Sequence, residues 1–412
     1  RRRQTISDPV HRAVTLKHLQ RLSQFVKQTF ADGDVFDTDP KSSTHGQRLY
    51  WDTVTIAQVH THFVVPLTSK YTCSFMEIIS KRVEQAPEWC VTHAWDERFR
   101  DVISLLGHHA KCHNDTNPAY WIAAFALNGS EAIETNIAIL SACSVDKLPF
   151  ARALRHSDCA GMLTLVGEKG VALKRSWVVL EEFTRQSVGK KRDIGIMARD
   201  DRAQVVGGGP VVLLDEGGAG NSGPWKEVGK VENLHFPWDV ARACVDFRVA
   251  DCSAGDEQCK EAILRVLSQS NADEEPPEHS AAYEDIEHAI RTPFYSRAIC
   301  QAVVAGDSDS LLKLLVSALP ALNEVLPQKG AAVHVAAERN AKACMKVLLD
   351  AMANPAVVRL EDGASPAYLA GASHAATCLR MLLDEHADPN QARKLDRASP
   401  MHAAAEATAC IQ

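Results

Sequence analysis

The chain has 412 residues, 46% hydrophobic and 24% charged, which allows two or three globular domains and excludes a wholly disordered protein. Its net charge of −7 excludes a dedicated nucleic-acid-binding protein, because such proteins carry a strong basic field. Its apolar runs stay below the ~18 residues of a membrane-spanning helix, so no membrane association is expected.

The cysteines predict a reducing compartment. All twelve are scattered, and no CxxC pair occurs. Zinc sites made from cysteines need such close pairs, so no metal is expected from them. Scattered cysteines are typical of small core residues in a reducing environment. Because the chain begins with Arg and ends inside a repeat, we expect a fragment of a longer cytoplasmic protein.

The N-terminal region, residues 1–48, predicts a helix followed by a linker. Apolar residues recur at helical spacing over 9–30. The next stretch, 31–47, begins like a calcium loop with Asp32, Asp34 and Asp37. It lacks the glycine at loop position six and the glutamate at position twelve, so we interpret it as a linker.

Strands and helices alternate from Pro87 onward. The predicted strands are 87–95, 118–127, 159–166 and 192–198, and the predicted helices are 96–110, 130–143 and 174–186. This alternation favours a parallel α/β sheet with helices on both faces, where ligands bind at the carboxyl ends of strands. The polar or aromatic residues at those ends are His93, Trp95, Asp96 and Asn128.

A glycine-rich stretch, 207–223, follows the predicted sheet. It contains neither GxxxxGK[ST] nor a GxGxxG that opens a helix, so we interpret it as turns around a short strand at 211–214. Residues 236–297 predict a helical connector, which contains a polar, proline-bearing loop at 271–280.

A 34-residue repeat occupies residues 298–412. His334, Tyr368 and His402 recur at this step, within the segments GAAVHVAA, ASPAYLA and ASPMHAAA. These segments resemble the TPLHLAA opening of ankyrin repeats, whose usual period is 33. The resemblance implies about three stacked helix pairs, an α-solenoid that binds a protein partner on its concave face.

Three short segments resemble a second family. VTHAWD (91–96), YWIAAFALNG (120–129) and KRSWVVLEEF (174–183) are similar to segments of fungal heterokaryon-incompatibility (HET) domains. HET domains are relatives of the Toll/interleukin-1 receptor (TIR) fold. The resemblance covers about residues 85–200 and is closest to TIR/HET-like modules of multidomain ankyrin-repeat proteins in dinoflagellate algae. Three residues depart from the HET pattern. Asp96 replaces a glycine, Ala123 replaces an aspartate and Gly129 replaces a glutamine.

The TIR/HET resemblance implies a flavodoxin-type domain over residues 49–235 that self-associates. Enzymatic TIR domains cleave the nicotinamide–ribose bond of NAD with a glutamate four residues after a tryptophan-like position. In this chain that role transfers to Glu181, four residues after Trp177. The implied nucleotide-pocket residues are His93, Trp95, Asp96, Asn128 and Trp177.

The stretch 174–183 leaves two interpretations open. Helical spacing predicts that Glu181 lies at the border of the buried face, near the strand end at 93–96. Glu182, about 100° further round the helix, is expected to point to solvent. The alternative is a plain amphipathic helix with Trp177 in the core and Glu181 solvated.

Two histidine pairs lie outside the predicted site. His109 and His113 lie one helical turn apart with Cys112 nearby, but no second ligand cluster is evident, so we favour a polar helix end over a metal site. His60 and His62 alternate as residues on one face of a strand would.

A cysteine nucleophile is not expected. Cys90 and His93 lie three apart in a predicted strand and would point to opposite faces, so they form no catalytic pair.

Two functions remain. The first is a signalling scaffold, with ankyrin repeats for protein binding and a TIR/HET-like domain for self-association. The alternative is an NAD(P) hydrolase with Glu181 as key carboxylate, regulated by the ankyrin repeats. No cofactor is expected, since NAD enters only as the substrate of the alternative. An open cleft shared by Glu181, Trp95 and His93 would favour the hydrolase. A cleft filled by side chains would favour the scaffold.

Overall fold

The structure is a computed structural model that describes residues 6–80, 83–128, 140, 144–167, 170–197, 211–215, 226–228, 240, 244–270, 274–325 and 330–409. The chain forms two compact units. The first extends to Glu287 and the second begins at His288, apart from short segments at 222–227 and 241–246 that group with the second. The predicted helix at 130–143 lies outside the described residues except for Leu140, and within the connector residues 236–239 and 241–243 also lie outside them.

The first unit is built on a mixed sheet. Its strands are β1 (Val14–Thr15), β4 (Trp89–Thr92), β5 (Ala119–Trp121), β6 (Gly161–Val166), β7 (Lys191–Met197) and β8 (Val211–Asp215), in the order β1-β5-β4-β6-β7-β8. The four central strands are parallel, whereas β1 and β8 are antiparallel to their neighbours. The predicted α/β class is therefore confirmed, with antiparallel edges that the sequence did not reveal. The remaining strands are β2 (Val35–Phe36), β3 (Arg48–Leu49) and β9 (Lys226–Val228).

Helices and short helical turns connect these strands. They are α1 (Leu16–Asp32), α2 (Ile56–Val59), α3 (Val65–Thr68), α4 (Phe75–Ile79), α5 (Phe99–Cys112), α6 (Ala123–Ala126), α7 (Pro149–Leu154), α8 (Ser176–Ser187) and α9 (Glu257–Ser268). The predicted helix at 174–186 is thus found as α8. None of the helices among the described residues is both long and apolar enough to cross a bilayer.

Strand alternation assigns the two faces of the sheet. Successive side chains of a strand point to opposite faces, so Arg192 and Asp193 on β7 face different helices. Arg192 pairs with Glu182 of α8, whereas Asp193 contacts His109 of α5. Helices α5 and α8 therefore cover opposite faces of the central sheet. The main hydrophobic core fills the α5 side, together with α1.

Residues 31–47 are folded, contrary to the predicted linker. Strands β2 and β3 form a small antiparallel sheet, and Asp37 between them is fully buried. Its Oδ2 accepts hydrogen bonds from the hydroxyls of Ser42 and Thr44, both at 2.6 Å. His62 Nε2 lies 3.1 Å from Oδ1. One buried carboxylate thus organises the segment, because each polar neighbour offers it a donor.

The strand-like interpretation of His60 and His62 was wrong, and the predicted strand at 118–127 was partly wrong. His60 and His62 lie in a π-helical turn, His60–Val64, between α2 and α3 rather than on a strand. Strand β5 ends at Trp121, and the alanine-rich residues 123–126 form α6, since alanine is the strongest helix former.

The second unit consists of stacked helix pairs. The helices from residue 281 onward are α10 (Ala281–Ala305), α11 (Ser308–Ala318), α12 (Ala332–Glu338), α13 (Lys342–Asp350), α14 (Pro366–Ala372), α15 (Ala376–Asp384) and α16 (Pro400–Ala409). The repeated histidine has a structural role: His334 is buried, its Nδ1 accepts from the Ala331 N–H at 3.0 Å, and its Nε2 lies 3.1 Å from the Ala364 carbonyl oxygen. It therefore links the start of α12 to the next repeat.

Candidate functional site

A cavity of about 500 Å³ opens at the carboxyl end of β4 in the first unit. Its wall includes four residues of the predicted site, namely Glu181, His93, Trp95 and Trp177. The volume is in the range of small-molecule sites, and the position agrees with the rule that ligands of α/β sheets bind beyond the carboxyl ends of strands. The sequence interpretation therefore identified residues that the fold brings together.

Glu181 places a carboxylate in this largely apolar cavity. No described residue forms an ion pair with it. Burial raises its pKa to about 7, because removal from water penalises the charged form, and the neighbouring Thr92 hydroxyl only partly opposes this shift. Near neutral pH both the protonated and the ionised form of this carboxyl group are therefore populated.

Thr92 supplies a second polar group to the same wall. Its side chain is 2% exposed, and its Oγ1 has no partner in good hydrogen-bond geometry among the described residues. Thr92 ends β4 on the face that carries α8, which brings it beside Glu181. Because buried polar atoms are nearly always hydrogen-bonded, this hydroxyl and the Glu181 carboxylate are suited to a polar ligand.

Aromatic rings form much of the remaining wall. Trp95 is 38% exposed, and its ring lies 5.2 Å from that of His60 and 6.0 Å from that of His93. Trp177 is partly exposed at the cavity, so it does not belong to the core as the amphipathic-helix alternative required. Burial lowers the pKa of His93, which favours its neutral form. The cavity thus offers flat surfaces for a ring-shaped ligand.

Two predicted pocket residues lie elsewhere. Asp96 is exposed and Asn128 is partly buried, and neither belongs to the cavity wall. The chain turns after Trp95 toward α5, which carries Asp96 into solvent. Asn128 follows α6, and this helix draws the chain away from the carboxyl end of β5.

Glu182 is buried, and the expectation that it points to solvent was wrong. It is 2% exposed, and its Oε1 accepts hydrogen bonds from Arg185 at 2.7 Å and pairs with Arg192 at 2.8 Å. Burial raises its pKa, but the two guanidinium groups outweigh this effect and hold the pKa below its ordinary value. The 100° step along α8 from Glu181 turns Glu182 toward β7. Arg192 projects from the face of the sheet that α8 covers, so the two side chains meet.

The sequence interpretation missed several residues of the cavity. Arg175 is a partly buried cation in the wall, and it stands in the same segment as Glu181, at the arginine of the HET-like pattern. His60 reaches the wall from the π-helical turn. Asp256 and Cys259 come from the start of α9, more than 70 residues further along the chain, and no sequence signal links them to the site.

A second polar cluster lies on the other face of the sheet. His109 and His113 of α5 both contact the buried carboxylate of Asp193 on β7. No further ligand for these histidines was evident in the sequence, but the structure brings Asp193 to both of them, so that the three side chains form a group with metal-ligand chemistry.

Comparison with known families identifies the second unit. Residues 299–393 match the family model of ankyrin repeats in three copies. The comparison with curated proteins found no match for this chain. The predicted ankyrin repeats are thus confirmed, and they imply a protein partner, because stacked repeats of this kind present extended binding surfaces.

Proposed function

We propose that the first unit is a TIR-type hydrolase that cleaves the nicotinamide–ribose bond of NAD or NADP in the cavity, and that the ankyrin repeats bind a protein partner that regulates it. The observation that carries the proposal is the convergence of Glu181, Trp95 and His93 on one open cavity. An inert scaffold has no need for a carboxylate that is removed from water and forms no ion pair with any residue the structure describes.

The reaction requires one water molecule. The bond between ribose C1′ and the nicotinamide nitrogen breaks, and its electron pair leaves with the nitrogen, which becomes neutral. The water oxygen bonds to C1′ and releases a proton to solvent, so the products are nicotinamide and ADP-ribose from NAD, or nicotinamide and ADP-ribose 2′-phosphate from NADP. Ionised Glu181 stabilises the oxocarbenium-like transition state. The cationic nicotinamide ring favours this ionised form when it binds.

The other residues of the wall have matching roles in this proposal. Trp95 or Trp177 stacks on the nicotinamide ring, since an indole face attracts a cation. Arg175 pairs with the diphosphate, for which a guanidinium group is well shaped. The Thr92 hydroxyl bonds a ribose hydroxyl or the attacking water.

A second candidate is the scaffold function, in which the TIR/HET-like domain self-associates without chemistry. Ala123 favours it, because this residue lies in the cavity wall where the HET-like pattern has an aspartate. The cavity is less polar as a result. The two candidates differ in whether NAD is consumed.

The deciding experiment incubates the purified full chain at high concentration with NAD and separates the products by chromatography. We expect nicotinamide and ADP-ribose in equal amounts. Glu181→Gln keeps the shape of the side chain and should lower the rate at least 100-fold. Glu84→Gln is the matched control, because Glu84 is exposed and lies outside the cavity wall. No products, or equal losses in both variants, would exclude the hydrolase.

The proposed location is the cytoplasm. Cys90 and Cys159 are not joined by a disulfide, although their sulfur atoms lie 3.9 Å apart. Such a close pair without a bond supports a reducing compartment. Fractionation of cells that express the protein tests this location.

A further inference from the structure

The cluster of His109, His113 and Asp193 joins helix α5 to strand β7. His109 Nε2 lies 3.2 Å and His113 Nε2 lies 2.7 Å from Asp193 Oδ2. The three donor atoms all lie within 4.8 Å of one another. Asp193 and His109 are fully buried, whereas the side chain of His113 is 26% exposed. The cluster therefore has a buried base and one side open to solvent.

The hydrogen bonds around Tyr120 allow His109 to act as a ligand. The Tyr120 hydroxyl donates to the Leu106 carbonyl oxygen at 3.1 Å. Its oxygen can then accept at the 2.9 Å contact with His109 Nδ1, an arrangement that places the imidazole proton on Nδ1. In a neutral imidazole of this tautomer, Nε2 carries a lone pair that faces the carboxylate oxygen and is able to bind a cation.

The carboxylate has room for such a cation. Asp193 Oδ1 is buried and has no hydrogen-bond partner among the described residues. Lys191 Nζ lies 3.4 Å from Oδ1 and balances part of its charge. Oδ2 faces both imidazoles, so it is the oxygen through which the carboxylate can bind a cation as a monodentate ligand.

We propose that His109 Nε2, His113 Nε2 and Asp193 Oδ2 bind a divalent transition metal ion of the zinc class. Two imidazoles and one carboxylate are a common ligand set for zinc, with bonds of about 2.0–2.1 Å. Tetrahedral bonds of that length place ligand atoms about 3.3 Å apart. The 3.2 Å pair already fits, and the 2.7 Å pair fits after a small outward movement of the partly exposed His113.

Further contacts orient the ligands. Tyr120 holds His109 through Nδ1, an arrangement that fixes the tautomer of metal-binding histidines. The ring of Trp89 lies 4.5 Å from that of His109 and 4.9 Å from that of His113, which shields the buried side. Because His113 is partly exposed, a bound metal ion would be accessible to water from that side.

The metal would stabilise the first unit and take no part in the cavity chemistry. Asp193 and Glu181 act on opposite faces of the sheet, because α5 and α8 cover different sides. A metal ion bound to two residues of α5 and one of β7 ties the end of that helix to a central strand. Metal binding therefore adds to the stability of the folded state.

Cobalt(II) titration of the metal-stripped full chain tests the proposal. We expect visible d–d absorption of a tetrahedral site that saturates at one equivalent. His113→Ala should abolish it, and this change at a partly exposed helix end leaves the core intact. His108→Ala is the matched control, because His108 lies on the same helix outside the cluster, and it should titrate like the wild type. The proposal is overturned if the wild-type absorption does not saturate at one equivalent of cobalt(II). It is also overturned if His113→Ala titrates like the wild type.

Thermal unfolding gives an independent readout. Zinc should raise the Tm of the wild type and of His108→Ala, and EDTA should reverse the rise. Asp193→Asn and His113→Ala should show no zinc-dependent rise. A zinc effect of equal size in all variants would mean that the ion binds elsewhere and would overturn the assignment. This outcome is separate from NAD cleavage, so each proposal can fail alone.

Discussion

Glu182→Ala should destabilise the first unit severely. The substitution removes a carboxylate whose Oε1 lies 2.7 Å from Arg185 and 2.8 Å from Arg192, all three side chains being at least nine-tenths buried. It removes the buried carboxylate oxygen that both guanidinium groups contact. Breaking a buried ion pair by removing one partner costs about 3–5 kcal/mol. For a unit of this size, that loss corresponds to a fall in Tm of roughly 6–20 °C.

Urea unfolding followed by tryptophan fluorescence measures the loss, with Glu181→Ala as the neighbouring control. Because no described residue pairs with Glu181, its removal should change the free energy of unfolding by less than about 1 kcal/mol. The two adjacent glutamates should therefore differ by at least 2 kcal/mol at pH 7. If Glu182→Ala costs under 1 kcal/mol, or if Glu181→Ala costs as much, the ion-pair argument is refuted.

Three further predictions concern other carboxylates and a histidine. Because the folded-state pKa of Glu181 is raised to about 7, its contribution to stability is fully present below about pH 4.5 and is lost as pH rises through 7. Glu181→Gln should remove this pH-dependent loss of stability, which urea unfolding at pH 5 and pH 8 measures. Equal stability of the wild type at the two pH values would contradict the prediction. Asp37→Ala should cost about 2–4 kcal/mol and expose residues 31–47 to protease, whereas unchanged cleavage would support the linker interpretation. Burial lowers the pKa of His334 to about 4, so the stability it gives the repeats is present above about pH 6.5 and is lost as pH falls toward 4. Hydrogen exchange of residues 332–338 at pH 7 and pH 5 should show lower protection at pH 5, after correction for intrinsic rates, and equal protection would count against this role.

The sequence predicted those features that depend on local periodicity. The alternation of apolar strands with amphipathic helices revealed the α/β class, and the 34-residue step revealed the repeats. Glu181 and Trp177 share one side of α8 through helical spacing, and His93 and Trp95 follow a strand end. Local geometry combined with the rule for α/β sheets was thus enough to bring these four residues to one cavity.

Features that depend on pairing across the fold were not predictable in the same way. The partner of Glu182 is Arg192, and the face to which a strand residue points is fixed only by its register in the sheet. Asp193 meets His109 across 84 positions of the sequence, which no motif encodes. The polar residues around Asp37 predicted a linker because each residue type is common in linkers. Their shared hydrogen bonds to the Asp37 carboxylate order the segment, and the sequence did not reveal these bonds.

The π-helical turn at His60–Val64 interrupts the helical segment that runs from α2 to α3. Its wide turn is closed by the bond from the Val65 N–H to the His60 carbonyl oxygen. Such a turn holds about one residue more than an α-helical turn, as a single-residue insertion would leave it. Here the extra residue is accommodated without loss of the core positions, since Ile56 and Val59 before the turn and Val64 within it are all buried. Deletion of one residue from the turn would let the helix close regularly, and it would rotate His60 relative to the downstream helix by about 100°. The contact between His60 and Trp95 therefore depends on the number of residues in this turn as much as on their identity.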